Sequence, residues 1–302
     1  MKIFHFDCCS IEKKYQKKKS HIYIEESLQS FLSLNEPFKA DIVTGFVYSE
    51  FHKQNLNHIK DLKLIITRSI GLDNIDTDFC DLKNIEYTNI EYSNHTVAHH
   101  TMGLILFHMR NMRSFFTKVQ KGIFADNALE CCDMRGKTLG IIGYGKIGKK
   151  VAELAKAFDL EVLVCDRKLE NCQVKNNVKF CDLEGVLKNS DIISLHCDAN
   201  PSSIRMINNE TIKMMKDGVV LINTARGSII NERDLLKNIK KFSFVGLDVL
   251  ENESNFKKNH PFLKHPNILI TPHIAYKSEL TTKERWDKTY QYIENFTSRQ
   301  KL

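Results

Sequence analysis

The chain has 302 residues, of which 42% are hydrophobic and 27% are charged. This length allows one large or two ordinary globular domains, and the hydrophobic content is sufficient for a packed core. No apolar run reaches 18 residues, so the sequence predicts no membrane-spanning helix. The formal net charge of +7 is dispersed along the chain and is not concentrated in one segment.

The first residues and the cysteines indicate a protein of the cytoplasm. The apolar stretch in residues 1–7 is too short for a secretory signal peptide and predicts a first strand instead. The nine cysteines are an odd number without a Cys-x-x-Cys pair, and Cys165 and Cys197 lie inside predicted strands. This usage is typical of buried, reduced thiols and not of a disulfide framework.

The densest basic segment covers residues 13–19, between the first two predicted strands. It could be a nucleic-acid patch or the solvated face of a helix. No basic surface with interleaved aromatic residues accompanies it. We therefore favour the solvated face and predict no nucleic-acid partner.

Strand and helix patterns alternate along the chain, which predicts an α/β fold with parallel sheets and helices on both faces. Residues 95–121 are rich in helix formers and contain no Pro, so they predict one long helix between domains or subunits. The strands predicted before this helix are residues 2–6, 21–24, 41–45, 62–67 and 85–88.

The part of the chain from residue 138 to residue 272 predicts a second set of strands. Their number suits a doubly wound dinucleotide-binding domain. Residues 279–299 predict a final helix that packs back on the first part of the chain. The predicted strands lie near residues 138–142, 161–165, 178–180, 192–196, 219–223, 244–248 and 268–270.

A glycine motif, Gly143-x-Gly145-x-x-Gly148, stands between the first of these strands and a helical pattern. A strand, a glycine turn, a helix and a second strand that ends in an acid form the fingerprint of a dinucleotide site. Gly143 permits the tight turn, Gly145 lets the backbone approach a pyrophosphate, and Gly148 lets helix and strand pack closely. The phosphates would face the N–H groups at the start of the helix.

The residues around the motif support this prediction. Positions 151, 154, 155 and 158 are apolar, which is the spacing of an amphipathic helix. Asp166 ends the next predicted strand, 18 residues after Gly148. An acid here accepts hydrogen bonds from ribose hydroxyls and repels a 2′-phosphate, so it favours NAD over NADP, although the neighbouring Arg167 weakens that preference.

Three later segments, residues 223–227, 246–253 and 271–276, each begin where a predicted strand ends. In open α/β sheets ligands bind at this edge. The segments bring an Arg, acids and a His to it. Together these groups provide an anion clamp, an orienting carboxylate and a titratable acid or base.

Taken together, these motifs resemble those of the D-isomer-specific 2-hydroxyacid dehydrogenases. The resemblance covers residues 62–276 and is strongest from Gly136 onward. Residues 67–76 are similar to the family's substrate-carboxylate loop, and residues 92–98 are similar to the segment that opens its dimer helix. The segments most similar to the D-lactate dehydrogenase branch are residues 92–93, 206–208, 248–253 and 273–276.

The resemblance implies a two-domain α/β architecture, in which a Rossmann-type doubly wound parallel sheet is inserted in a smaller flavodoxin-like substrate domain. Residues 1–98 and 276–302 would form the substrate domain, and residues 99–275 the NAD-binding domain. Membership of the family would also imply a homodimer.

The resemblance further implies three catalytic roles. Arg226 would bind the substrate carboxylate and polarise the carbonyl, through a planar fork of donors that Lys lacks. His273 would donate a proton to the carbonyl oxygen and take it back in the reverse reaction. Glu253 would hydrogen-bond His273, orient its ring and stabilise the imidazolium.

Other positions match family residues that bind substrate or cofactor. The amides of Ile70 and Gly71 would hold the substrate carboxylate, with Tyr92 and Tyr276 near the pocket unless they are packing residues. Asp248 would contact the cofactor or support the site from behind, and it could also be a helix cap. The remaining positions that match residues lining NAD are Lys146, Ile147, Asp166, Cys197, Asp198, Ser203, Thr224, Ala225 and Arg226.

The chain departs from the family pattern in three places. His99 stands where Glu is common, and Asn94 stands where Pro is frequent. Cys197 and Asp198 replace a Val-Pro pair under the adenine. These departures concern local cofactor contacts and the start of a helix, not the three catalytic residues.

Three histidines in the predicted long helix could suggest a metal, because His95 and His99 share a helix face and His100 is adjacent. No third ligand or carboxylate stands at a metal-binding spacing. We therefore predict no metal and expect these histidines to face solvent or a dimer partner.

These observations predict an NAD(H)-dependent reductase of a small 2-oxo acid, with pyruvate as the best candidate by resemblance to the D-lactate dehydrogenase branch. An alternative is an NAD(H)-sensing protein that uses the same scaffold for binding without turnover. The presence of Arg226, Glu253 and His273 weighs against it, because a sensor has no need of all three. Formate or phosphonate oxidation is a third possibility, and it is disfavoured because a paired Glu and His suit proton exchange with an alcohol.

Overall fold

A computed structural model describes residues 1–124, 130–167, 174–175 and 178–300 of the chain. The chain is organised in two compact units. The first consists of Met1–Ser93 and Lys277–Leu302, and the second consists of Asn94–Tyr276. The chain therefore passes between the units twice, at residues 93–94 and at residues 276–277.

The first unit is built on a parallel sheet. Its strands are β1 (Ile3–His5), β2 (Ile22–Tyr23), β3 (Phe38–Lys39), β4 (Ile42–Gly45), β5 (Ile59–Lys60), β6 (Leu64–Thr67) and β7 (Glu86–Asn89). The main sheet has the order β2-β1-β4-β6-β7 with parallel neighbours, which is the predicted flavodoxin-like arrangement. Strands β3 and β5 pair separately and were not predicted, because their pairing with each other, and not a periodic pattern in the sequence, defines them.

Helices pack on both sides of this sheet. Successive strand residues point to opposite faces. Val43 and Ile65 pack in a core with residues of three helices, while Ile42 and Leu64 pack on the other side against a C-terminal helix, Glu279–Arg299. That helix therefore packs on the first unit, as predicted. The three helices of the other core are α1 (Leu28–Leu34), α2 (Lys53–Leu56) and α3 (Thr77–Leu82).

The basic segment of residues 13–19 lies along the C-terminal helix. Because these side chains are largely exposed, their ion pairs contribute little to stability. A buried ion pair between Glu12, which immediately precedes this segment, and Arg285 of the helix has a distance of 2.8 Å. The exposed pairs are Lys14 with Glu279, Lys17 with Asp287 and Lys18 with Glu294.

The second unit contains a larger sheet with the order β10-β11-β9-β8-β12-β13-β14-β15. All neighbouring strands are parallel except β10 and β11. The order from β11 to β14 is that of a doubly wound dinucleotide fold, and the direction of winding reverses between β8 and β12. The strands are β8 (Thr138–Ile142), β9 (Glu161–Cys165), β10 (Val174–Lys175), β11 (Val178–Phe180), β12 (Ile192–Leu195), β13 (Val219–Asn223), β14 (Phe242–Leu247) and β15 (Ile268–Ile270).

Helices also cover both faces of this sheet. They are α4 (His95–Met109), α5 (Met112–Gln120), α6 (Lys146–Ala157), α7 (Leu183–Asn189), α8 (Asn209–Met214) and α9 (Glu232–Lys237). Ile141 and Val220 pack with α4 and α6 on one side. Ile142 and Leu221 pack with α7, α8 and α9 on the other side. The fold is thus the predicted α/β architecture.

The prediction of a single helix over residues 95–121 is wrong. The helix ends at Met109, and α5 begins at Met112. Asn111 between them has a φ of +50°, a left-handed conformation that Asn tolerates better than most residues. Its side-chain amide donates to the carbonyl of Glu130, so a long-range contact stabilises the break.

The cysteines only partly follow the prediction. Those in the described residues are free thiols, with Cys8 and Cys80 buried but Cys9 and Cys132 exposed. Cys197 lies beyond the end of β12 and not inside a strand. None of the helices in the described part of the chain is long and apolar enough to cross a bilayer.

Candidate active site

The three predicted catalytic residues follow three neighbouring strands of the second unit. Strands β13, β14 and β15 are parallel and adjacent, so their carboxyl ends form one edge of the sheet. Arg226 follows β13 by three residues, Glu253 follows β14 by six, and His273 follows β15 by three. The fold therefore delivers all three residues to the edge where ligands bind in sheets of this type.

His273 and Glu253 form a direct pair, with Nδ1 of the ring 2.8 Å from Oε2 of the carboxylate. The other carboxylate oxygen accepts a hydrogen bond from the amide of Leu250 at 3.3 Å. Because a carboxylate only accepts hydrogen bonds, Nδ1 carries the hydrogen of this pair. The two side chains are 22% and 38% exposed, and Nε2 is the ring nitrogen that takes no part in this pair.

The loop that carries His273 is held by Asp248, whose side chain is completely buried. The carboxylate accepts hydrogen bonds from the amides of Ile274 at 3.0 Å and Ala275 at 2.8 Å, and from the hydroxyl of Thr271. The carbonyl of Asp248 accepts the amide of His273 at 2.9 Å. His273 has a φ of +49°, a conformation that needs such support in a residue with a side chain.

Asp248 remains ionised in this environment. Burial raises the pKa of its carboxyl, but hydrogen bonds from His100, Thr271 and the two loop amides outweigh burial and hold the pKa below its usual value. The carboxylate therefore stays an acceptor for the loop. Within the described chain, Asp248 supports the loop of His273. A contact between Asp248 and the cofactor stays a prediction.

Arg226 is presented by a turn that Asn223 organises. Asn223 is fully buried at the end of β13. Its side-chain oxygen accepts the amide of Ala225 at 3.0 Å, and its side-chain nitrogen donates to the carbonyl of Arg226 at 2.9 Å. The sequence prediction missed this role, although an amide side chain at the end of an apolar strand is a usable signal.

Gly227 brings the Arg226 turn against the loop that leads to Glu253. A Cβ atom on Gly227 would lie 1.9 Å from the carbonyl carbon of Leu250, 2.1 Å from its oxygen and 2.4 Å from the nitrogen of Glu251. These are backbone atoms of a neighbouring strand end, which cannot turn aside as a side chain can. Only glycine permits this contact, and the contact places the Arg226 turn beside the Glu253 loop.

The glycine motif fits a dinucleotide. Gly143 has a φ of +96°, and a Cβ there would lie 2.5 Å from the nitrogen of Cys197. A Cβ on Gly148 would lie 2.1 Å from the carbonyl oxygen of Gly143, so helix and turn are in contact. Gly145 is the N-cap of the twelve-residue helix α6, and the space around its absent Cβ is open. These features leave room for a pyrophosphate at a helix N-terminus.

Asp166, the acid of the fingerprint, is tied to the glycine turn. It stands one residue beyond β9, and its carboxylate accepts the amide of Tyr144 at 2.6 Å. The guanidinium of Arg167 donates to the side chains of Asn200 at 3.2 Å and Ser202 at 2.6 Å. Arg167, which weakened the predicted preference for NAD, is therefore hydrogen-bonded to a neighbouring loop.

That loop contains the positions predicted to lie near the adenine. Ser203 donates its hydroxyl to the carbonyl of Asp198 at 2.6 Å and accepts the amide of Asn200 at 2.9 Å, which closes the turn. Burial raises the pKa of Cys197 to about 11, so its thiol is neutral. A neutral thiol is compatible with an adenine ring, as the Val that it replaces would be.

The remaining predicted cofactor positions lie along the same edge of the second unit. Lys146 and Ile147 are the first two residues of α6. Thr224 and Ala225 follow β13, and the Thr224 hydroxyl lies 2.9 Å from that of Thr101 in α4. Their contacts with cofactor stay predictions.

The predicted substrate-binding residues are divided between the units. In the first unit, the Ser69 hydroxyl donates to the carbonyl of Gly71 at 2.7 Å, and the side chain of Asn89 donates to the carbonyl of Ile70. Tyr92 in that unit lies 5.7 Å from the guanidinium of Arg285. In the second unit, the ring of Tyr276 lies 6.0 Å from that of His273 and nearly perpendicular to it.

His95 and His99 are exposed, which is consistent with the expectation that the helix histidines face solvent or a partner, whereas His100 is half-buried and has a contact inside the unit. The ring nitrogen Nε2 of His100 lies 3.1 Å from the Thr271 hydroxyl. The two residues are 171 positions apart, so no local pattern reveals the contact. Over the described ranges, no three His, Cys, Asp or Glu side chains are grouped so that they could hold a metal ion.

The chain is similar to proteins of one family. A family model for the NAD binding domain of D-isomer specific 2-hydroxyacid dehydrogenases matches residues 102–275. The chain is 37% identical to a hydroxypyruvate reductase of Thermotoga maritima, over 72% of this chain and 71% of that protein. It is 35% identical to a D-specific alpha-keto acid dehydrogenase of Enterococcus faecium, over 79% of this chain and 77% of that protein.

The fold is similar to that of a solved D-lactate dehydrogenase from Aquifex aeolicus, in a complex with NAD and lactic acid. The TM-score is 0.89 and the sequence identity is 32%. The similarity covers 98% of this chain and 95% of that chain, so it is not confined to the glycine motif.

The contact at Gly227 predicts a large cost for a single added methyl group. We expect Gly227→Ala to lower the free energy of unfolding by about 3 kcal/mol or more, because the backbone of two turns must separate. Gly103→Ala is the matched control, since its Cβ would meet nothing within 4 Å in helix α4. This control should raise the free energy of unfolding by up to about 1 kcal/mol. Denaturant unfolding measures both, and equal stabilities of the two variants would contradict the contact.

Proposed function

Because this chain belongs to the D-isomer-specific 2-hydroxyacid dehydrogenase family, and is therefore an NAD-dependent oxidoreductase, we propose that it interconverts a small 2-oxo acid and the D-2-hydroxy acid. Pyruvate is the substrate that we favour. The observation that carries the proposal is the 2.8 Å pair of His273 and Glu253, which shares one sheet edge with Arg226. An imidazole, its carboxylate partner and a guanidinium are the groups that reduction of a carbonyl requires.

In the proposed reaction His273 moves the proton. Since Glu253 accepts the hydrogen of Nδ1, the proton exchanged with the substrate oxygen is carried by Nε2. During reduction the imidazolium donates this proton to the carbonyl oxygen, and during oxidation the neutral ring accepts it from the hydroxyl. The Glu253 carboxylate keeps the ring in one orientation and stabilises the imidazolium.

Arg226 is proposed to bind the substrate carboxylate and to polarise the carbonyl. The guanidinium offers a planar fork of donors that matches a carboxylate. One of its nitrogens donates to the carbonyl of Ala225 at 2.8 Å, which limits the movement of the side chain. A cation held in place in this way stabilises the negative charge that develops on the carbonyl oxygen.

We propose that the second unit holds NAD, whose reduced form supplies the hydride for the carbonyl carbon. The amides of Lys146 and Ile147 would bind the pyrophosphate, and Asp166 would accept the ribose hydroxyls. The positions proposed to line the rest of the cofactor are Cys197, Asp198, Ser203, Thr224, Ala225 and Asp248.

We propose that the first unit is the substrate domain. The amides of Ile70 and Gly71 would bind the substrate carboxylate. The carbonyl groups of these two residues accept hydrogen bonds from the side chains of Asn89 and Ser69, which hold the turn in place. Tyr92 of this unit would also contact the substrate. Tyr276 is a separate proposed substrate contact of the second unit. The free thiols of the described cysteines support a cytoplasmic location.

Homodimerisation is proposed through helix α5 of the second unit. Met112, Phe116 and Val119 are 52%, 65% and 54% exposed and fall on one helix face. An apolar stripe of this kind marks an interaction surface. Sedimentation of the purified chain should therefore give the mass of a dimer, and Phe116→Lys should give that of a monomer. A parental chain that sediments as a monomer at high concentration would refute this.

A substrate panel tests the proposed activity directly. The chain should oxidise NADH faster with pyruvate than with hydroxypyruvate, glyoxylate or a branched 2-oxo acid, and NADPH should be a poorer donor because of Asp166. The loss of NADH fluorescence measures the rates. A higher kcat/KM for another 2-oxo acid would reassign the substrate within the same reaction. NADH binding without turnover of any 2-oxo acid would support the sensor alternative.

The catalytic roles predict large effects on turnover. We expect His273→Ala and Arg226→Ala each to lower kcat by at least about 100-fold, which is the scale of general acid and electrostatic catalysis. His58→Ala is a control, because His58 is exposed in the first unit. Steady-state kinetics with NADH and the preferred 2-oxo acid measure the change. A variant of His273 or Arg226 with nearly parental kcat would remove that residue from the mechanism.

A further inference from the structure

A second histidine–carboxylate contact lies behind the catalytic loop. Nε2 of His100, in helix α4, is 3.1 Å from the hydroxyl of Thr271 and 3.5 Å from Oδ1 of Asp248. We propose that His100 is a positioning residue that acts through Thr271 and Asp248 to hold the loop of His273. This inference rests on the proposed function, because its consequence is a change in turnover.

The direction of the hydrogen bonds follows from the chemistry of the three groups. The Asp248 carboxylate can only accept hydrogen bonds, so the Thr271 hydroxyl donates its single hydrogen to that carboxylate. The hydroxyl oxygen is then an acceptor toward the ring of His100. Nε2 of His100 therefore carries a hydrogen, and the chain of donors runs from imidazole to hydroxyl to carboxylate.

Both partners of His100 also hold the backbone of His273. The amide of His273 donates to the carbonyls of Asp248 and Thr271, at 2.9 Å in each case. The φ of +49° at His273 is a strained conformation that relaxes if these anchors loosen. Small displacements of a catalytic group cost turnover more than they cost binding, because the reacting atoms must be closely aligned.

The contact also joins two segments of the second unit that lie far apart in the chain. Helix α4 begins one residue after the chain enters this unit at Asn94, and the His273 loop ends where the chain leaves it at Tyr276. The contacts of His100 therefore connect helix α4, where the chain enters the unit, with the His273 loop, where the chain leaves it.

The packing of helix α4 does not depend on His100. Ala98, Met102 and Ile105 anchor the helix in the hydrophobic core of the unit. The ring of His100 is 22% exposed and is not a member of that core. Removal of its hydrogen-bonding nitrogen should therefore spare the folded state and affect the loop.

The test compares four variants of the full chain: His100→Leu, His100→Gln, Thr271→Val and the double variant His100→Leu with Thr271→Val. We expect His100→Leu to lower kcat by about tenfold or more, with the Kd for NADH changed by less than about twofold. Thr271→Val should have a similar effect, and the double variant should be no worse than the more impaired single variant, since both changes break one chain of contacts. His100→Gln retains an N–H donor and should recover kcat to within about threefold of the parental value.

Gly103→Ala is the matched control and should keep the parental kcat, because Gly103 lies in the same helix and an added Cβ would meet nothing within 4 Å. Parental kcat in His100→Leu, together with a large loss in His273→Ala, would overturn the positioning role and leave the proposed function intact. Equal losses of kcat in His100→Leu and His100→Gln would also overturn it. Losses of kcat that parallel a fall in the midpoint of thermal unfolding would do the same. A parental chain without turnover of any 2-oxo acid would instead refute the proposed function itself.

Discussion

The buried carboxylate of Asp248 is the constraint on which the site depends. Ligand-binding loops at a sheet edge are short of regular hydrogen bonds, and the loop after β15 also contains a residue in the left-handed region. Asp248 supplies what the loop lacks, because its carbonyl and both carboxylate oxygens accept from residues 271–275. A neutral amide in its place would accept fewer of these bonds, which explains why an ionised group occupies a fully buried position.

Two pairs of histidine and carboxylate lie at the candidate site, and we propose a different task for each. The pair of His273 and Glu253 is partly exposed, which suits the proton exchange that we propose for its ring. The pair of His100 and Asp248 has its carboxylate in the interior and acts on the position of the loop. A group that exchanges protons needs access to substrate, whereas a group that maintains geometry is more effective where water does not compete for its hydrogen bonds.

Local patterns in the sequence were sufficient to predict most of the helices and strands. The C-terminal helix, Glu279–Arg299, matches the predicted residues, and in the structure a capping box of Ser278 and Thr281 marks its start. The long helix over residues 95–121 was predicted wrongly, since Asn111 has a weak local preference and its left-handed conformation is stabilised by a partner 19 residues away. Strands β3 and β5 were not predicted, because they are defined by their pairing with each other and not by their composition.

The sequence by itself determined the glycine turn and the alternation of strands and helices, and it predicted Arg226, Glu253 and His273 as the catalytic residues. These features depend on residue type and short spacing, which periodicity and family motifs record directly. Only the tertiary structure decided that Gly227 contacts Leu250 and that His100 reaches Thr271. The contacts of Gly227 and His100 join residues that are distant in the chain, and the order of strands in the sheet, which no local pattern encodes, determines which distant residues become neighbours.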